Sequence, residues 1–207
     1  SVMDSDGKIL KSREGEVIKL VDLLREAVTR AEQAIAEKNP ELKGTQREEI
    51  AKAIGIGAVK YADLSTERTK DYVFDWDRML AFEGNTSPYL QYAHARICSI
   101  FRRSGTERSS LSGISISLSR PEELLLARRL VNFAAVTDDT LDTYSPHRLC
   151  TYLHSVASAF ATFYEVCPVL GAEDEVTRGS RMAMCDLTAR TISTGLGLLG
   201  IDSPEQM

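Results

Sequence analysis

The residues best suited to chemistry lie between Gly84 and Arg103, where aromatic, imidazole and guanidinium side chains are closely spaced. Tyr89, Tyr92, His94 and Arg96 supply what an unstacked RNA base needs: flat faces to stack on, polar atoms to read its edges, and a cation for the phosphate. At roughly 100° per residue, Leu90, Ala93, Ile97, Ile100 and Phe101 gather on one side of a helix, while Tyr89, Tyr92, Arg96 and Arg103 gather on a neighbouring side. One face can then pack while the other meets a partner. Ser87 is placed to cap this helix and Pro88 to take its first position, where a missing N–H costs nothing. The same residues also fit a plainer arrangement, in which the tyrosines are half-buried in a bundle and Arg96 pairs with an acid of a neighbouring helix.

A second segment, Gly7-Lys-Ile-Leu-Lys-Ser-Arg-Glu-Gly15, sets Lys8, Lys11, Ser12 and Arg13 between glycines. That composition can hold a polyphosphate through charge-assisted hydrogen bonds. Taken alone it fits a solvated charged loop at least as well.

These residues stand in a chain of 207 residues with a formal net charge of −5, 43% hydrophobic and 27% charged. Such a chain can bury a core without disulfides or metal. An acidic balance argues against a protein that coats nucleic acid, DNA included, without discrimination, so any RNA site must be local. The stretch from Tyr89 to Arg108 meets that requirement, with Arg96, Arg102, Arg103 and Arg108 against the single acid Glu107. No apolar run approaches a membrane span and the start is not a signal peptide, so a cytoplasmic protein is expected. Cys98, Cys150, Cys167 and Cys185 lie far apart, and His94, His147 and His154 lack the spacing that would aim two ligands from one helical face. Packing thiols and no metal are expected.

The elements that must position these residues are helical. Leu20, Leu23, Leu24, Ala27, Val28, Ala31 and Ile35 define one helix, stopped by Asn39-Pro40. A second runs from Gln46 to about Tyr61, where Gly55 and Gly57 signal close contact with another backbone. Tyr72-Val-Phe-Asp-Trp alternates as a short extended segment, and Gly84-Asn85 breaks the chain before the aromatic helix. Residues 105 to 119, rich in Ser and Gly, read as a loop. Three more helices are expected: one from Pro121 through Ala134, one from Pro146 through Phe163, and one from about Glu175 to a stop at Gly200. The sum is an all-α helical bundle.

Gly84-Asn-Thr-Ser-Pro-Tyr-Leu-Gln-Tyr-Ala-His-Ala-Arg96 closely resembles the start of the DALR-type anticodon-binding domain of class I arginyl-tRNA synthetases. Gly57-Ala-Val-Lys-Tyr-Ala-Asp-Leu-Ser65, Asp71-Tyr-Val-Phe-Asp-Trp-Asp-Arg-Met-Leu80, Ser145-Pro-His-Arg-Leu-Cys150 and Phe163-Tyr-Glu-Val-Cys-Pro-Val-Leu170 extend the resemblance over nearly the whole chain. It implies that residues 1–82 form the helical end of the catalytic and stem-contact region and that 83–207 form the anticodon-binding domain. It implies tRNA(Arg) as partner, with Tyr89, Tyr92, His94, Arg96, Tyr164 and Met207 as anticodon-binding candidates. Lys8, Lys11, Ser12 and Arg13 become the remnant of the loop that acts on ATP during adenylate formation.

In that family the complete enzyme uses ATP with magnesium to activate arginine, then transfers arginyl to the tRNA 3′ end. Neither a nucleotide-binding Rossmann core nor a His-Ile-Gly-His type motif is present in this sequence. The resemblance therefore implies a C-terminal fragment, monomeric, inactive alone and without a bound cofactor, whose catalytic half is missing in cis and whose Met207 is the true C-terminus. A rival from another class is a synthetase-derived bundle reused as a protein-interaction module. Salt separates the two, because phosphate contacts release counterions whereas an apolar interface responds weakly.

Overall fold

The computed structural model describes residues 2, 3 and 19–207, and the ATP-loop candidates Lys8, Lys11, Ser12 and Arg13 lie outside that range. Helices α1 (Leu20–Lys38) and α2 (Gly44–Leu64) form a hairpin closed over Ala31, Ile35, Leu42, Ile50, Ala51 and Ile54. The backbones touch at Gly55, where a Cβ would sit 2.6 Å from the Val28 amide nitrogen, so only glycine lets the helices approach this closely. Gly57, two residues later and on the opposite side of α2, makes room for Ser87, where a Cβ would meet the hydroxyl at 2.9 Å.

The extended segment expected around Tyr72 is present as β2 (Tyr72–Val73), paired in parallel with β1 (Val2–Met3). A short helix α3 (Trp76–Met79) follows, capped by the Asp75 carboxylate, which accepts from the Arg78 N–H at 3.1 Å.

The aromatic helix α4 runs Ser87–Ser104, and its cap is Thr86, one residue before the expected Ser87. Thr86 has extended backbone (φ −133°, ψ 155°), which lets its hydroxyl accept from the Tyr89 N–H at 3.2 Å while donating to the Ala81 carbonyl at 2.7 Å. Ser87 is already helical and fully buried against α2.

The loop expected over 105–119 contains a 3₁₀ turn at Arg108–Leu111 and is tied down beyond it. The Ser180 hydroxyl accepts from the Ser117 N–H at 2.9 Å and donates to the Ser117 carbonyl at 3.0 Å. The helix expected from Pro121 through Ala134 is instead two: α5 (Pro121–Leu130) and α6 (Phe133–Thr143). Asn132 divides them, because its side-chain amide donates to the Arg128 carbonyl at 2.7 Å and so takes the place of a backbone partner. Helices α7 (Pro146–Val166) and α8 (Glu175–Leu198) complete the bundle.

The core lies where α4, α7 and α8 meet. Leu90, Leu153, Val156, Ile192 and Leu196 fill one half; Ile97, Ile100, Phe160, Phe163 and Met182 fill the other. α5 is fixed by a buried ion pair, in which Arg181 Nε donates to Glu123 Oε1 at 2.7 Å and Nη1 donates to the Pro168 carbonyl at 2.8 Å. Burial alone would raise the Glu123 carboxyl, but bonds from Arg181 and from the Arg120 and Ser119 N–H groups outweigh it and hold the pKa low. The charge is tolerated because four hydrogen bonds surround it, one to Oε1 and three to Oε2.

Gly55→Ala should lower stability by about 3 kcal/mol, the upper range for overpacking, since the added methyl meets backbone that cannot rotate away. Urea unfolding checks this; a shift of the midpoint no larger than that of an exposed Ala substitution would contradict the close approach.

Candidate nucleic-acid interface

Most of the circumference of α4 is buried, by α2 on one side and α7 and α8 on another. What remains in water is a narrow strip with Tyr92, Arg96 and Arg103 exposed and Ser99 half-buried, together with Arg102, which is exposed on another side and reaches the Glu205 carbonyl. α4 carries no acidic residue, so the strip is positive on an acidic protein.

Tyr92 is 46% exposed and its ring meets Phe82 edge-to-face, with centroids 6.3 Å apart. Arg96 lies over the Tyr164 ring of α7, with Cζ 4.6 Å from the centroid. Tyr164 in turn rests against Phe160, at 5.8 Å and a 30° tilt. The strip therefore offers one free tyrosine and one guanidinium plane held flat by a second tyrosine. Stacking of loop bases on such planes is how single-stranded RNA is usually held.

Tyr89 stands at the N-terminal end of the same side. It is half-buried, packs on the core, and meets His154 of α7 at a centroid distance of 5.6 Å. His94 lies on another side of α4 and is 4% exposed. Its Nδ1 is 3.1 Å from the Pro204 carbonyl, which can only accept, so the proton sits on Nδ1 and Nε2 faces the Cys98 thiol at 3.7 Å. Burial lowers the His94 pKa, aided by the charge of Arg108 and partly opposed by the Pro204 bond. The other thiols are packing groups too: burial pushes Cys150 and Cys185 up to about 12.

His94 belongs to a row of polar side chains that strap residues 201–207 along the bundle. Gln91 Nε2 donates to the Asp202 carbonyl at 2.7 Å, and Arg102 donates to the Glu205 carbonyl at 3.0 Å. At the far end, Asn39 donates to the Met207 carbonyl at 3.2 Å and Gln46 bonds Gln206 at 3.0 Å. Met207 consequently packs against the α1–α2 cluster, which Phe82 also borders. The structure thus gathers Tyr92, Arg96 and Tyr164, places Met207 on the α1–α2 cluster that Phe82 also borders, and leaves Tyr89 half-buried and His94 buried in packing positions.

Phe82 and Gln91 were not expected in the site. Phe82 gives no periodic signal, lying in the non-helical stretch between α3 and α4, and Gln91 reads as one more polar residue on a helix. Among the described residues no cluster of His, Cys, Asp or Glu is placed to hold a metal ion, and no helix is long and apolar enough to cross a membrane.

Residues 90–207 match the family described as DALR anticodon binding domain, and residues 1–76 match the tRNA synthetases class I (R) catalytic domain. The chain belongs to the class I arginyl-tRNA synthetase family and carries its DALR anticodon-binding domain. It is 51% identical to an arginine–tRNA ligase of Edwardsiella ictaluri and 53% identical to one of Cellvibrio japonicus, in each case over all of this chain and 36% of the relative. The arginyl-tRNA synthetase of Thermus thermophilus superposes with a TM-score of 0.88 at 33% identity, over all of this chain and 34% of that one. The Plasmodium falciparum arginyl-tRNA synthetase gives 0.83 at 29% identity, over 92% of this chain and 34% of that one. The chain thus spans about a third of the synthetases it matches.

The lowered pKa of His94 makes the strap pH-dependent. The unfolded chain binds a proton near pH 6.5 and the folded chain only below that, so stability is full above about 6.5. It then declines as pH falls towards the folded pKa, by at most about 1.4 kcal/mol per pH unit. Comparing urea midpoints at pH 7.5 and 5.5, His94→Gln should flatten the dependence seen in the unsubstituted protein; an equal slope in both would remove His94 as its source.

Proposed function

We propose that this segment binds the anticodon loop of tRNA(Arg) within an arginine–tRNA ligase. The observation that carries the reading is the wet strip of α4 where Tyr92 and the Arg96–Tyr164 pair stand beside Arg103 with no acid on the helix. Loop bases stack on Tyr92 and on Arg96, Met207 contributes from the α1–α2 cluster that Phe82 also borders, and Arg103 takes a phosphate. Tyr89 and His94 serve by holding α7 and the 201–207 strap in place. Residues 1–82 act as the end of the catalytic and stem-contact region and 83–207 as the anticodon-binding domain, working as a monomer in the cytoplasm. Lys8, Lys11, Ser12 and Arg13 contribute to the ATP loop when the remainder of a synthetase supplies the nucleotide core, with ATP and magnesium used there. The segment alone binds no cofactor and forms no adenylate.

Equilibrium binding to tRNA(Arg), to an anticodon-loop variant of it and to an unrelated tRNA at two salt concentrations tests this. Selective, salt-sensitive binding is expected; equal affinity for all three would refute anticodon reading. Tyr92→Ala should weaken tRNA(Arg) binding about tenfold or more, at 1–3 kcal/mol per stacked base, with circular dichroism unchanged. Arg103→Gln should weaken binding of all RNAs alike and reduce the salt slope by about one.

A further inference from the structure

A second group of cations lies on the side of α4 where His94 is found. Arg108, in the 3₁₀ turn, donates from Nε to Asp186 Oδ1 at 2.6 Å, and Nε of Arg190 on α8 lies 3.0 Å from Oδ2 of the same carboxylate. Arg108 is steadied further by the Phe101 ring, 5.4 Å beneath its Cζ. One acid shared by two guanidiniums leaves an excess of about one positive charge. Arg108 is held through an Nε hydrogen bond and Arg190 by an ion-pair contact, and no hydrogen bond joins the terminal amino groups of either to a described residue. Two oriented guanidinium edges with free donors match the oxygens of a phosphate.

The space beside them is a cavity of about 440 Å³. Leu111, Ile114 and Leu187 give it apolar walls, and the hydroxyls of Ser109 and Ser112 stand at its edge. That volume exceeds what a bare anion fills and lies within the range of small-ligand sites.

We propose that this cavity binds a phosphate ester bearing a flat or apolar group, a nucleotide unit, with its phosphate on Arg108 and Arg190 and its base against the aliphatic walls. The site shares no residue with the anticodon strip and stands whether or not that reading holds. Two sources offer this chemistry, a nucleotide of a bound RNA strand and a free mononucleotide.

The test is an NMR titration of the 207-residue chain with AMP and, separately, with inorganic phosphate, following the arginine Nε–H resonances. Saturable shifts centred on Arg108 and Arg190 are expected, with AMP tighter than phosphate because only AMP uses the apolar walls. Arg190→Lys keeps the charge but loses the fork, and should weaken AMP binding tenfold or more; with its side chain 63% exposed, this variant should fold normally. The proposal fails if no saturable shift appears, if shifts centre on Arg96 and Arg103, or if Arg190→Lys binds AMP within twofold of the unsubstituted chain. Added tRNA(Arg) then separates the sources: displacement of AMP assigns the site to RNA, and simultaneous binding assigns it to a free nucleotide.

Discussion

The fold turns on one buried amide. Gln91 is fully buried, and its Nε2 donates both hydrogens, one to the Ala53 carbonyl of α2 at 3.0 Å and one to the Asp202 carbonyl at 2.7 Å. Three segments far apart in sequence, α2, α4 and the 201–207 strap, are joined there. A buried Gln91 N–H without a partner costs more than the hydrogen bond returns, so neither Ala53 nor Asp202 is free to drift from α4. Glycines make the junction possible: Gly57 brings α2 against Ser87, one turn before Gln91, and Gly55 brings α1 against α2. Removing surface from α2 and α4 at once is what turns a helical hairpin and a helical bundle into a continuous packed unit.

This arrangement also decides which part of α4 stays wet. With Ser87, Gln91, His94 and Cys98 covered by α2 and the strap, and Leu90, Ile97, Ile100 and Phe101 covered by α7 and α8, the strip of Tyr92, Arg96 and Arg103 is what is left beside Arg102, whose guanidinium is spent on the strap. Its position follows from burial everywhere else. Arg96 could have extended into solvent at some cost in order; Tyr164 at 4.6 Å gives its guanidinium a preferred plane before any ligand arrives.

Much of this was legible in the residues. The helix starting near Pro88, the close contacts at Gly55 and Gly57, the extended segment at Tyr72 and the exposed side of α4 follow from periodicity and turn chemistry. Other features depend on contacts that periodicity does not encode. The cap fell on Thr86 because the Ala81 carbonyl was there to accept its hydroxyl. Asn132 split one expected helix because its amide reached back to Arg128. His94 sits among aromatic and basic residues in sequence yet serves the Pro204 carbonyl, since a difference of two positions from Tyr92 is about 200° around a helix.

The same geometry explains how an acidic chain can present a site for a polyanion. A net charge of −5 repels RNA at long range, so affinity must come from contacts short enough to outrun screening, within roughly 8–10 Å at ordinary ionic strength. α4 meets this condition by excluding acids along its whole length, while acids are placed on other elements such as Asp138, Asp139 and Asp142 of α6. Negative charge elsewhere then disfavours attachment in any other orientation. In the proposed role specificity would gain from this arrangement: a weak general attraction would hold every RNA, whereas a local strip amid repulsion would favour one whose bases are already unstacked enough to reach it.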